Sequence, residues 1–140
     1  MRYAVSGDYG FLRLSDGEKL HDSLVFACDE YAIDSAVIVG GLGMARNVTF
    51  GWFTGNEYIK EKLDGVFELT GLSGNISYRE NSLYPHLHAV LNDRSHRAFS
   101  GHILNAEADH NLEVVFSPLA SLRLRREFDG WFDAIAPERR

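Results

Sequence analysis

The sequence predicts an α+β fold in which a bent, mainly antiparallel sheet packs with one principal helix. Three observations point there. Segments rich in β-branched and aromatic residues recur along most of the chain, a single stretch keeps helical periodicity, and glycines lie within or beside the strand-like runs, where sheets bend or bulge. Runs of strands after one helix favour α+β over a regularly alternating parallel architecture. With 140 residues, three prolines, no internal repeat and no low-complexity segment, residues 1–140 read as one domain, long enough to bury roughly two-thirds of the surface its unfolded form exposes.

The elements follow in order. "YGFLRL" (9–14) reads as a strand. Between residues 15 and 33, Leu20, Leu24, Ala27, Cys28 and Tyr31 fall at i, i+4, i+7, i+8 and i+11, one helical face, and Ser15 with Glu18 has capping-box spacing. "SAVIVGG" (35–41) and "NVTFGWF" (47–53) read as two strands, the second presenting Val48, Phe50 and Trp52 on one side. Between them "GGLGMARN" (40–47) lacks the G-x-G-x-x-G order and precedes a strand rather than a helix, so it predicts a tight turn or bulge and not a phosphate cradle.

Four more strand runs follow: "VFELTGLSGNISY" (66–78), "LHAVLND" (87–93), "RAFSGHIL" (97–104) and "LEVVFS" (112–117). Glu68 either faces solvent by alternation or is buried with a partner. After Leu122 two patterns compete. "LRLRR" alternates like a strand, whereas Phe128, Trp131, Phe132 and Ile135 have helical spacing, so a strand ending near Arg126 and then a short amphipathic helix are expected.

Composition narrows the function classes. Twenty acidic against fourteen basic residues give a formal charge of −6, a field that repels phosphate backbones and anionic membranes on average. The densest basic run, Arg123, Arg125 and Arg126 with Arg139 and Arg140, reads as a solvated rim. No apolar run approaches the roughly 20 residues of a membrane span, and the first residues lack a signal-peptide core, so a soluble cytoplasmic protein is expected. The lone Cys28 reads as a small buried apolar residue in a reducing compartment.

Four of the six histidines lie in "PHLHAVLNDRSHRAFSGH" (85–102). Strand alternation puts His86 and His88 on one face and Leu87, Ala89 and Leu91 on the other, and the polar segment 92–96 turns the chain into a second strand. Matching apolar faces brings Leu87, Ala89 and Leu91 beside Phe99, Gly101 and Ile103, which forces His102 onto the histidine face, since a one-residue slip would exchange the faces. With Leu91 opposite Phe99, His88 lies across from His102, their Cβ atoms about 4.5–5.5 Å apart. Three imidazoles so placed can converge on zinc or another divalent transition metal, leaving a fourth position for water, a carboxylate or a partner's side chain. The alternative is three partly exposed histidines bonded to neighbours. His96 and His110 read as turn or loop residues, and His21 as an exposed helix position.

"GLGMARNVTFGWF", "GVFELTGLSGNIS", "PHLHAVLNDRSHRAFSGHIL" and "EVVF", in that order, resemble the PPC domain family, the plants and prokaryotes conserved domain, over roughly residues 8–118. Residues 119–140 then form a C-terminal extension. The resemblance is to the stand-alone prokaryotic type. It implies an α+β domain assembling as a homotrimer, with a metal such as zinc held near a subunit boundary by residues matching His86, His88 and His102. Single-domain members are commonly labelled predicted DNA-binding proteins, by analogy with plant members whose domain follows AT-hook motifs. This chain has no Arg-Gly-Arg-Pro core, and Gly65-Val66-Phe67-Glu68 stands where the plant proteins carry Gly-Arg-Phe-Glu.

Three readings result. The first is a homotrimeric regulatory or interaction module with a three-histidine metal site, touching DNA weakly or through a protein partner. The second is a zinc-dependent, hydrolase-like metalloenzyme using the same histidines, with Glu68 or Glu107 considered as general base. The third is direct DNA binding through the C-terminal arginines.

Overall fold

Alternating apolar side chains draw most of the chain into strands, and the computed structural model describes residues 1–140 as eight strands and one helix. In order these are β1 (Arg2–Ser6), β2 (Tyr9–Ser15), α1 (Leu20–Glu30), β3 (Ala36–Phe53), β4 (Tyr58–Arg79), β5 (Ser82–Asn92), β6 (Ala98–Pro118), β7 (Leu122–Phe128) and β8 (Asp133–Arg139). The α+β class holds. The path β1-β2-β6-β3-β4-β7-β8 is antiparallel except where β7 meets β4 in parallel at Tyr78 and Arg125. Strand β5 pairs with both β4 and β6, and β3 pairs with the same two, so β3, β4, β5 and β6 close a ring.

Helix α1 buries Leu20, Leu24, Ala27 and Cys28, the expected stripe, and packs against β2, β5 and β6. Opposite it stand Leu12, Leu14, Leu87, Ile103, Leu112 and Val114, all fully or almost fully buried. Each such aliphatic side chain contributes about 1.5–3 kcal/mol on leaving water. Burial pushes the Cys28 thiol up to about 12, which agrees with an inert apolar role.

The helix starts later than its capping-box signal. Glu18 does accept the Ser15 amide (2.7 Å), but its other oxygen takes the N-terminal ammonium of Met1 (2.6 Å), so the pair ties β2 and the chain start together. Lys19 is the residue before the helix, with no side-chain cap. These bonds hold the Glu18 carboxyl below the usual range, the ammonium hydrogen bond being the largest cause.

Two expected strand breaks are absent. Residues 35–41 and 47–53 belong to one strand, β3, and of the tight turn or bulge expected in the glycine-rich segment between them it is bulges that form: register shifts occur between Ile38 and Gly40, Gly43 and Ala45, and Arg46 and Val48. Likewise 97–104 and 112–117 merge into β6. His110, expected in a loop, lies within that strand at φ +64°, an irregularity the ladder absorbs. Glu68 occupies an exposed alternate position in β4.

The amphipathic helix expected after Arg126 does not form; the chain makes the hairpin β7–β8. Asp129 accepts amides from Trp131 (2.9 Å) and Phe132 (3.1 Å), and Gly130 takes φ +106°, so local turn bonding outcompetes helical spacing.

Candidate metal centre and adjoining groove

The register expected from the apolar faces is the one observed. Leu87 pairs with Ile103, His88 with His102, Ala89 with Gly101 and Leu91 with Phe99. Leu87, Leu91 and Ile103 sit in the core, and pleat parity turns His86, His88 and His102 to the reverse side. Gly74 of β4 backs this ribbon: it pairs with Leu87 at φ +148°, and its missing side chain admits the His86 carbonyl.

The rings gather closely. Centroids of His86 and His102 are 4.7 Å apart at 82°, those of His88 and His102 5.3 Å apart at 69°, and Nε2 of His86 is 3.3 Å from Nε2 of His88. One ring nitrogen of each histidine lies within 4.8 Å of the others. Two nitrogens each about 2.0–2.1 Å from one tetrahedral ion stand about 3.3–3.4 Å apart, so the His86–His88 spacing and the all-imidazole donor set fit zinc or a similar divalent metal.

His102 is the buried member. Tyr58, at the start of β4, stacks on it with centroids 5.2 Å apart at 23°, and Nδ1 of His102 is enclosed without a hydrogen-bond partner. Burial, reinforced by His88, His21 and Arg126, lowers the His102 pKa to about 4. His86 is likewise lowered to about 4 by burial first, then by Arg126, His102 and His88. Both rings are therefore neutral at neutral pH, each with one protonated nitrogen and one lone pair.

Two contributors escaped the sequence reading. Tyr58 precedes the strand expected to start at residue 66. Arg126, read as part of a solvated rim, reaches inward: Nη2 donates to Nδ1 of His86 (2.9 Å) and to Oδ1 of Asn75 (3.2 Å), Nε to Oγ of Ser77 (3.0 Å), and Nη1 to the Asp133 carbonyl (2.9 Å). Only the parallel approach of β7 to β4 makes this possible, and no local pattern announces it.

The other histidines stay outside. His96 is in the expected turn, at φ +62°. His21 is half-buried, not exposed, and its Nδ1 is enclosed without a partner; burial holds its pKa below the ordinary imidazole value. A second group, Asp16, Asp109 and His110, is bridged by the Arg46 guanidinium, 2.7 Å from Asp16 and 2.6 Å from Asp109, and is accounted for as an ion-pair network.

Beside the three imidazoles opens a groove of about 600 Å³ walled by Phe50, Trp52, Phe53, Tyr58, Ile59 and Phe132. Its carboxylate is Glu61; Glu68 and Glu107, considered earlier as bases, do not line it. Glu107 instead accepts from Asn47 (2.9 Å) and approaches Arg46 (3.8 Å). Among the C-terminal arginines, Arg123 and Arg140 both pair with Asp34, and Arg125 approaches Glu138 at 3.8 Å.

The Plants and Prokaryotes Conserved (PCC) domain profile matches residues 1–120. Among solved structures, a plant- and prokaryote-conserved (PPC) protein from Pyrococcus horikoshii is 26% identical, with a TM-score of 0.86 over 99% of this chain and 96% of that one. A metal-containing protein from Archaeoglobus fulgidus is 28% identical, with a TM-score of 0.83 over 96% and 95%. A candidate DNA-binding protein from Bacteroides thetaiotaomicron, 23% identical with a TM-score of 0.87 over 98% and 96%, shares the fold. No curated protein matches significantly in sequence.

Proposed function

The chain belongs to the Plants and Prokaryotes Conserved (PCC) domain family, and on that premise we propose that it is a homotrimeric, metal-holding interaction module with a regulatory role. His86, His88 and His102 would hold the ion, zinc or another divalent transition metal. The observation that carries this reading is the convergence of three imidazoles, two of them with Nε2 atoms 3.3 Å apart. The metal-containing relative from Archaeoglobus fulgidus, at 28% identity, lends support. An ion held by the three imidazoles would supply a Lewis-acidic centre and cross-link β5 to β6.

A trimer has an apolar surface available. Phe11, Val39 and Leu42 project from the outer face of β2 and β3 at 53%, 56% and 57% exposure and line one shallow depression with Val115. DNA contact, in this reading, runs through a protein partner, because the chain carries −6 and its C-terminal arginines are mostly paired.

The test is metal analysis of protein purified without a polyhistidine tag, alongside its mass by analytical ultracentrifugation. Stoichiometric metal that disappears in H88A and H102A, in a particle of three chains that L42E dissociates, is the expected result. Wild-type protein that stays metal-free after zinc addition overturns the centre.

A second reading, a zinc-dependent hydrolase-like enzyme using His86, His88 and His102, draws on the groove beside them and on Glu61 as its carboxylate. It requires turnover on an ester, amide or phosphate substrate that is lost on chelation and restored by metal.

A further inference from the structure

The contact between Arg126 and His86 determines which imidazole nitrogen carries a proton. A guanidinium offers only N–H donors, and its Nη2 lies 2.9 Å from Nδ1 of His86. Nδ1 must therefore be the acceptor, which excludes both the imidazolium and the Nδ1–H tautomer. The ring proton is on Nε2, the nitrogen that faces His88 at 3.3 Å. The two nitrogens best spaced to share an ion share a proton instead.

An ion on Nε2 of His86 demands the other tautomer. The proton would move to Nδ1 and meet an Arg126 N–H head on. Metal-binding histidines ordinarily donate this second N–H to an oxygen acceptor. One stands ready: Asn75 is the cross-strand partner of His86, and its Oδ1 already accepts from the same Nη2 at 3.2 Å. The arginine is otherwise well held, by Ser77, by the Asp133 carbonyl and by stacking over the Tyr84 ring at 5.1 Å.

We propose that Arg126 is a tautomer gate: it weakens binding of a divalent metal at His86, His88 and His102 until Nη2 releases His86 and leaves Asn75 Oδ1 to accept the hydrogen bond from Nδ1–H. The gate rests on the metal reading above. It is carried by the C-terminal hairpin, beyond the 1–120 profile match, so whatever pulls that hairpin outward tightens the site. By linkage, metal in turn loosens the hairpin.

Three measurements on the full chain test this. Long-range proton–nitrogen correlation on metal-free protein should show His86 protonated at Nε2 and bare at Nδ1; the Nδ1–H tautomer overturns the gate. Zinc affinity, from competition with a chromophoric chelator, should rise about 10- to 100-fold in R126Q, whose amide oxygen can accept Nδ1–H, and fall in N75L. Zinc bound equally by wild type and R126Q removes the gate and leaves the metal centre standing. Zinc bound by neither overturns the centre and the gate with it. Hydrogen exchange in β7–β8 should quicken when zinc is added, and unchanged exchange counts against the coupling. If R126Q does not fold, the wild-type tautomer and N75L decide.

Discussion

His88 and His102 face each other across the β5–β6 ladder, one pair along from Leu87 and Ile103 on the core side. One alignment of two strands thus serves both stability and the imidazole cluster, and the two can be tested apart.

Zinc should stabilise the folded chain and not the unfolded one. At a free concentration about 100 times the dissociation constant, linkage adds about 2.7 kcal/mol, equivalent to a rise of about 5–15 °C in Tm for a domain of this size. Differential scanning calorimetry should show the rise in wild type, its reversal by a chelator, and its absence in H88A.

Leu87→Ala removes a fully buried side chain from the core side of the same ribbon. A loss of about 2–5 kcal/mol is expected in urea unfolding. Val90→Ala, at a position 40% exposed, should change stability by about 0.5 kcal/mol or less.

Gly74→Ala should be among the most damaging single substitutions. A methyl group there would overlap the His86 carbonyl, and φ +148° is a conformation that residues with side chains rarely adopt. Backbone strain alone costs about 1–3 kcal/mol, and relief requires β5 to move, so metal affinity should fall together with stability. Gly55→Ala, in open space at a positive φ, isolates the strain from the clash and should leave metal affinity intact.

Acid stability should depend on Arg46. Its hydrogen bond to Asp16 is the largest cause holding that carboxyl below the usual value, followed by the His110 amide. A depressed native pKa means that the contribution is complete above the unfolded value near pH 3.8 and is lost as pH falls through the native one. R46Q should therefore unfold at a higher pH than wild type in an acid titration followed by circular dichroism, with the difference between them shrinking as acid protonates Asp16.

The imidazole cluster was legible because pleat parity is a local rule: once Leu87 and Ile103 face inward, the parity of His86, His88 and His102 follows. The helix stripe was legible for the same reason. Long-range pairing was not. Nothing near Tyr58 or Arg126 in sequence indicates that one covers His102 and the other touches His86, since both arrive through the folding of distant strands. The C-terminal hairpin did leave a sign, Asp129-Gly130 between apolar residues, which is a hairpin signal that helical spacing obscured. Bulges hid the length of β3 and β6, because a residue at positive φ such as Asn47 or His110 reads locally as a break.

The closed circuit of β3, β4, β5 and β6 also bears on how the chain reaches its native state. Strand β6 mates with partners as far back as Gly10 and Ala36, so most of its neighbours are remote along the polypeptide and little of the circuit can form from adjacent residues alone. Topologies of this kind acquire their structure slowly, on millisecond-to-second scales. Nascent chains emerging from synthesis would expose unpaired strands until the segment around residue 118 is available, a window in which self-association competes with productive folding.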